Sequence, residues 1–368
     1  MMPSVTPKEH LLSIERSSER HLGRDGFVSL DRNERVSPIP DEIFRAMLAS
    51  VSVADLISYP DAGPFVARLA RGTGLPEECI AELAGSDAGI RRAFMAYLRP
   101  GDRVVALNPA YAMYALYTRI FEGVLERVEY DAERRCDIES VLQSIRPGVR
   151  IVILAHPDQP TGVAISPDAL RRVVERAGAV GALCIVDEAY HPFHPVTVAG
   201  WVQDYDHLLV LRSFSKYPGC AGLRLGYALG KPPLIQGLML VRGGNEVSGV
   251  SLALGCYLLD HPEIAEDFRR AVSAGKEILL AAAAKLGLEA LPCVTNFQLL
   301  RGRAGDDAGA FAVALERRRY FVKADFNHPA LANCIRVALN GPDIMTPFAA
   351  ALTEAVTETR RRVVRPVA

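Results

Sequence analysis

Short apolar runs recur through the middle of the chain, separated by longer segments in which apolar residues return every three or four positions. Residues 104–107, 149–155, 182–186 and 208–211 are apolar almost without a break. That length and continuity suit strands buried on both faces. Residues 138–145 and 167–177 between them carry helical spacing. Strands alternating with helices at these distances predict βαβ units and an α/β fold with a mainly parallel sheet. Residues 126–130 alternate like a strand near the sheet edge.

The flanking segments are more mixed. A short strand is expected at 27–30, and helices at about 41–49 and 64–71. An apolar helix is expected to end at Gly85-Ser86-Asp87, with a second running over about 88–98. Beyond Gly226 the sheet turns back through Tyr227-Ala228-Leu229, and residues 242–248 read as an irregular polar segment. Helices at about 250–259 and 262–286 follow, the latter long enough to connect two bodies. The last third reads as α+β, with strands at 296–300, 320–323 and 334–337 and helices at 308–318 and 343–361. The expected division is an N-terminal arm (1–24, with Arg16, Glu19, Arg20 and Arg24), a large domain (25–245) whose first part is able to pack on the small one, and a small C-terminal domain (246–368).

Composition narrows the class. The chain has 368 residues, 49% of them hydrophobic, which suits a large packed core rather than a disordered chain. Lysine plus arginine (42) nearly balances aspartate plus glutamate (43), so charge gives no reason to expect nucleic acid or an anionic membrane as partner. Seven scattered cysteines with no CxxC pair point to a reduced, cytoplasmic protein. No run approaches membrane-spanning length and the N-terminus lacks an apolar signal core.

In a mainly parallel sheet, ligands gather at the carboxyl ends of the strands, so the turns after the apolar runs are the informative ones. After 208–211 comes Ser213-Phe214-Ser215-Lys216-Tyr217-Pro218-Gly219, with Arg224 eight residues beyond Lys216. Hydroxyls plus Arg suit a phosphate monoester, and a desolvated Lys suits a Schiff base. Asp187 closes the strand at 182–186, where a carboxylate needs a partner; alone it would serve as a helix N-cap, and Tyr190 as a core aromatic. Gly85-Ser86-Asp87 at a helix start suits an anion, or is a turn and cap. Tyr111 offers a flat face at the start of another helix. His191 and His194 stand at i, i+3, too few ligands for a metal site, and no strand is followed by GxGxxG, which argues against a nicotinamide dehydrogenase.

Taken together, Asp187, Tyr190, Ser213, Lys216 and Arg224, in this order, resemble the site of fold-type I pyridoxal phosphate (PLP) enzymes, in particular class I/II aminotransferases of the histidinol-phosphate group, over roughly residues 25–360. The resemblance implies an aspartate aminotransferase-like large domain with a smaller α+β domain, and PLP as cofactor. It implies Lys216 as the aldimine lysine and Asp187 as partner of the pyridine nitrogen. Tyr190 and Gln159 would meet the phenolic oxygen, and Tyr111 would stack on the ring. The cofactor phosphate would lie among Gly85, Ser86, Asp87, Ser213 and Arg224, joined by Tyr59 of a neighbouring subunit, hence a homodimer. Substrate anions would meet Arg336, with Asn33 and Lys323 nearby and Asn296 a weaker candidate. The implied activity moves an amino group between an amino acid, or an amino-alcohol phosphate, and a 2-oxo acid. Other PLP reactions on this scaffold (decarboxylation, elimination, or oxidation and cyclisation) stay open, and so does a cofactor-free binding protein with a decayed site.

The chain departs from the family pattern in places. Arg35 occupies the proline place of an Asn-rich turn. His156 and Gln159 replace asparagines in the motif ending Pro160-Thr161-Gly162. Lys323 stands in for an arginine, and the arm lacks a tyrosine, which together weaken histidinol phosphate as the substrate.

Overall fold

The long apolar runs become the strands of one central sheet. A computed structural model describes residues 5–14 and 24–364, with side chains to residue 362; Arg16, Glu19 and Arg20 of the expected arm lie outside the described residues. In chain order the strands are β1 (Val28–Ser29), β2 (Ile80–Leu83), β3 (Arg103–Asn108), β4 (Val124–Glu129), β5 (Val149–Ala155), β6 (Leu183–Asp187), β7 (Leu208–Ser213), β8 (Gly226–Leu229), β9 (Glu289–Leu291), β10 (Phe297–Arg301), β11 (Tyr320–Phe321) and β12 (Cys334–Ala338). Seven of them form a sheet in the order β2-β8-β7-β6-β5-β3-β4. β8 is antiparallel to both its neighbours, and the other pairs are parallel.

Strand periodicity sorts the apolar residues of this sheet into two cores. Val105, Leu107, Val152, Leu154, Cys184, Val186, Leu208 and Val210 face helices Gly63–Thr73, Ile138–Ser144, Pro167–Ala179 and Gly249–Asp260. Val104, Ala106, Ile151, Ile153, Leu183, Ile185, Leu209 and Leu211 face helices Ser86–Tyr97, Ala112–Ile120 and Pro232–Leu240. Each fully buried Val, Leu or Ile in these layers stabilises the fold by about 1.5–3 kcal/mol relative to exposure. Double burial explains why the strands read as unbroken apolar runs.

One expectation needs correcting, and one helix went unread. The segment before Gly85 is strand β2, not an apolar helix. Four residues carry no helical period, and antiparallel pairing with β8 satisfies their backbone. Helix Pro232–Leu240 gave no signal, because Leu234, Ile235 and Leu238 are buried in a segment with few polar residues to mark an outer face.

A second body is built on the antiparallel sheet β12-β10-β9, covered by helices Pro262–Leu286, Ala308–Glu316 and Pro342–Val364. The start of the chain belongs to it: β1 pairs in parallel with β11, and Leu30 enters this core. Helix Pro262–Leu286 spans both bodies, with Ile264 in the first core and Phe268, Val272 and Leu279 in the second. Of the expected arm, helix Glu9–Leu12 lies near helix Ala112–Ile120, where His10 meets the Ile120 carbonyl (3.2 Å) and Arg119 donates to the Ser13 hydroxyl (2.8 Å).

Gly275 marks the tightest crossing, since a Cβ there would overlap the carbonyl oxygen of Asn340 and press on Met345. Gly275→Ala is therefore expected to lower stability by at least about 2 kcal/mol through overpacking, seen as an earlier urea midpoint. An unchanged midpoint would show that the helix can back away from Asn340.

Candidate active site

Strands β2, β3, β5, β6 and β7 all end on one edge of the sheet, and each delivers candidate residues there. Gly85 follows β2, Tyr111 follows β3, the His156–Gly162 turn follows β5, Asp187 ends β6, and Ser213 ends β7 just before Lys216. β8 runs the other way, so Arg224 enters it from the same edge.

Lys216 is held by a segment far away in sequence. Its ammonium donates to the carbonyl oxygens of Arg32 (2.9 Å) and Asn33 (3.1 Å). Asn33 is buried and left-handed (φ 57°), which turns the chain so that its groups point several ways. Its carbonyl also accepts from the Asn296 amide (3.0 Å), and its own amide donates to the Tyr190 hydroxyl (2.8 Å). Arg336, buried on β12, donates to the Asp31 carbonyl (2.8 Å) and lies over the rings of Phe297 and Phe326. Burial lowers the Lys216 pKa to about 8, aided by Arg336 and Arg224 and opposed by Glu34. Burial also lowers that of Arg336.

Asp187 sits deeper. One carboxylate oxygen accepts from the Tyr114 hydroxyl (2.8 Å) and the other from the Ala189 backbone (3.1 Å). Burial pushes its pKa up to about 6, against those hydrogen bonds. Burial likewise raises Tyr190 to about 12 and Tyr111 further still. Tyr111 meets Tyr114 edge-on at 5.7 Å and is half-buried. Sequence reasoning missed Tyr114 as a partner of Asp187. The signal was present, since a helix places residues 111 and 114 on one face.

The anion cradle is made by close approach. Helix Ser86–Tyr97 starts after Gly85 (φ 82°), and the first N–H groups of a helix have no partner within it. A Cβ on Gly85 would stand 3.0 Å from an Arg224 guanidinium nitrogen, and its positive φ favours glycine at this close approach. Ser213 is buried and its hydroxyl accepts from the Ser215 backbone (3.0 Å), while Arg224 reaches the Ser215 hydroxyl at 3.4 Å. Asp87 accepts from Tyr117 (2.7 Å) through one oxygen.

Other predicted residues lie less centrally. Gln159 is half-buried, and its side chain makes no hydrogen bond to the described residues. Lys323 pairs with Arg336 through the backbone (3.1 and 2.7 Å), but its side chain is exposed. Tyr59 is 89% exposed. The His156 and His194 rings meet edge-on at 5.4 Å, and burial lowers His156 and His191 to about 4. No group of three metal-ligating side chains occurs among the described residues.

Several buried polar atoms at this edge have no partner among the described residues: Asn33 Oδ1, Asn296 Oδ1, Arg336 Nε and Asp87 Oδ1. Buried polar atoms are normally paired, so a site with four waiting donors and acceptors is built for a polar ligand. A phosphorylated pyridine aldehyde fits. Arg224 and the helix start suit its phosphate, Asp187 its ring nitrogen, and Lys216 its aldehyde.

Comparison with known proteins agrees. The sequence model for "Aminotransferase class I and II" matches residues 66–350. A histidinol-phosphate aminotransferase of Symbiobacterium thermophilum is 32% identical over 345 residues, covering 92% of this chain and 93% of that protein. The crystal structure of histidinol-phosphate aminotransferase from Sinorhizobium meliloti in complex with pyridoxal-5'-phosphate superposes with a TM-score of 0.84 at 25% identity, covering 97% and 99% of the two chains. Aspartate aminotransferase from Thermus thermophilus shares the fold, with a TM-score of 0.79 at 20% identity and coverage of 98% and 100%. The chain belongs to the class I and II aminotransferases and is a pyridoxal phosphate-dependent transaminase.

Proposed function

We propose that the transfer runs at Lys216, from an amino acid or an amino-alcohol phosphate to a 2-oxo acid. The observation that carries this is the convergence of Lys216, Tyr190 and Arg336 on residues 31–33. It gathers an amine, a phenol and a bidentate anion-binding group from three separate parts of the chain. Bound PLP supplies an electron sink for the pair left when the donor's α-C–H bond breaks.

The protein's own groups do the rest. The Asp187 carboxylate holds the proton on the ring nitrogen, and Tyr114 and the Ala189 backbone fix its orientation. Tyr111 would cover one face of the ring. Gly85, Ser86, Asp87, Ser213 and Arg224 would anchor the phosphate. Tyr190 and Gln159 would donate to the phenolic oxygen. Lys216 would be the covalent attachment point, and its Nζ, when free, would hold the donor's α-proton as general base. A pKa near 8 leaves a useful fraction neutral at physiological pH. Arg336 grips the donor's carboxylate, with Asn33 and Asn296 beside it.

The relatives' names point to histidinol phosphate, and we keep an amino-alcohol phosphate as one donor class. The exposed Lys323 is then the second contact for its phosphate. Tyr59 lies near Phe44, Leu48, Val53, Leu56 and Ile57 in sequence, all exposed apolar residues. Exposure of that much apolar surface supports a homodimer in which Tyr59 reaches the neighbour's cofactor phosphate. No helix among the described residues is long and apolar enough to cross a membrane, and all seven cysteines are free, which supports a cytoplasmic setting. We read the two packed bodies as a large and a small domain joined by helix Pro262–Leu286.

Two outcomes test the reading. Borohydride treatment of the loaded protein should fix the cofactor mass on the peptide carrying Lys216, and Lys216→Ala should slow transfer on the order of 10³-fold or more. Turnover by Lys216→Ala at the wild-type rate would refute it. A carboxyl raised from 3.8 to about 6 loses its charge as pH falls through 6. Cofactor retention on dialysis should therefore weaken over that window in the wild type, whereas Asp187→Asn should retain it poorly at every pH. Equal retention by both proteins at pH 7.5 would remove Asp187 from its role.

A further inference from the structure

The segment over Lys216 is fastened by a residue that has no catalytic chemistry of its own. Arg35 follows the carbonyls of Arg32 and Asn33 by two to three positions. Its Nε donates to the Ser37 carbonyl (3.0 Å) and one terminal nitrogen to the Pro38 carbonyl (3.1 Å). Its guanidinium lies over the Phe268 ring, 4.8 Å from the centroid. Its stem runs along the backbone of the turn that carries Lys216. A Cβ on Gly219 (φ 87°) would stand 2.8 Å from Arg35 Cβ, 2.9 Å from a Phe268 ring carbon and 3.0 Å from Arg35 Cδ. One side chain thus touches three things at once: the covering segment, the lysine turn and the long helix between the two bodies.

From this contact we propose that Arg35 is a positioning residue, clamping residues 31–37 onto the Lys216–Gly219 turn and so keeping the lysine amine covered by the Arg32 and Asn33 carbonyls. The inference rests on Lys216 being the cofactor lysine, which borohydride fixation tests separately. The segment has other anchors on both sides of Arg35. Asn340 accepts from the Val36 (2.6 Å) and Ser37 (3.1 Å) backbones and donates to the Glu34 carbonyl (3.3 Å). Arg24 grips the Asp31 carboxylate with both terminal nitrogens (3.0 and 2.8 Å). These hold the segment to the second body. Arg35 is the link to the turn of the first body.

The electrostatic consequence has a definite sign. Desolvation is the main reason the Lys216 amine titrates low, and the charged groups around it are Glu34 on the covering segment, Arg336 on β12 and Arg224 after the lysine turn. Loosening the cover lets water replace the two carbonyls as acceptors and removes the desolvation. The amine then titrates closer to an exposed lysine.

The test is the pH dependence of Lys216 acetylation in the full chain freed of cofactor, followed by peptide mass spectrometry. The wild-type rate should reach half its maximum near pH 8. In Arg35→Ala the midpoint should rise by about one pH unit, making labelling at pH 7 roughly tenfold slower. Arg35→Lys keeps the stem against Gly219 and one donor, and should restore most of the wild-type midpoint. A lower melting temperature with an unmoved midpoint would overturn the proposal and leave Arg35 as packing alone. Should Arg35→Ala fail to fold, Phe268→Leu, which removes the ring under the guanidinium, carries the same test. Its midpoint must also rise, and an unmoved one overturns the proposal.

Discussion

An ammonium under cover must have acceptors, and that requirement organises this molecule. Lys216 finds them in two consecutive carbonyls, those of Arg32 and Asn33. Backbone carbonyls can face an amine this way only if the chain bends sharply, and the left-handed Asn33 makes the bend. The bent segment has little secondary structure of its own. It is held by Arg336 at Asp31, Asn296 at Asn33 and Asn340 at residues 34–37, and by its own Arg35, which packs on the lysine turn. Three of these four come from the second body. Much of what that body contributes to the site is the placement of a few carbonyl oxygens.

Two adjacent acids show how the fold separates structural charge from chemical charge. Glu188 is fully buried, yet every oxygen is answered: Arg212 donates to it twice, and Thr197 and the Val198 backbone complete the shell. Asp187 next to it receives, among the described residues, a phenol and one backbone N–H, and burial drives its pKa upward. Lys216 is driven the opposite way by the same loss of water. An acid and an amine that both sit close to neutrality can exchange charge with a ligand at small cost, whereas the Glu188–Arg212 pair is locked.

Much of this was legible in the sequence, for physical reasons. The doubly buried strands advertise themselves as apolar runs, and their carboxyl ends carry Asp187, Ser213 and Lys216 where a parallel sheet needs its ligand residues. β2 was hidden because four residues hold no period. Helix Pro232–Leu240 was hidden because burial leaves few polar residues to mark a face. Tyr114 could be reached from Tyr111 by helical spacing, but only with Asp187 already in mind. Lys323 was read only as a substrate contact; its backbone pairing with Arg336 and the outward course of its side chain depend on packing that no local pattern encodes. Arg35 stood out only as a misfit in a familiar turn. Its meaning lies in Gly219 and Phe268, more than 180 residues away.

The parallel pairing of β1 with β11 carries a consequence for biosynthesis. Residues 28–37 leave the ribosome nearly three hundred residues ahead of their strand partner at Tyr320–Phe321 and their clamp at Asn340. The central sheet has all its strands by Leu229, so it can assemble while the opening segment still waits for its seat. The lysine is therefore in place well before the carbonyls that will cover it are fixed, and the pocket is finished only when β11 and β12 take up the opening segment.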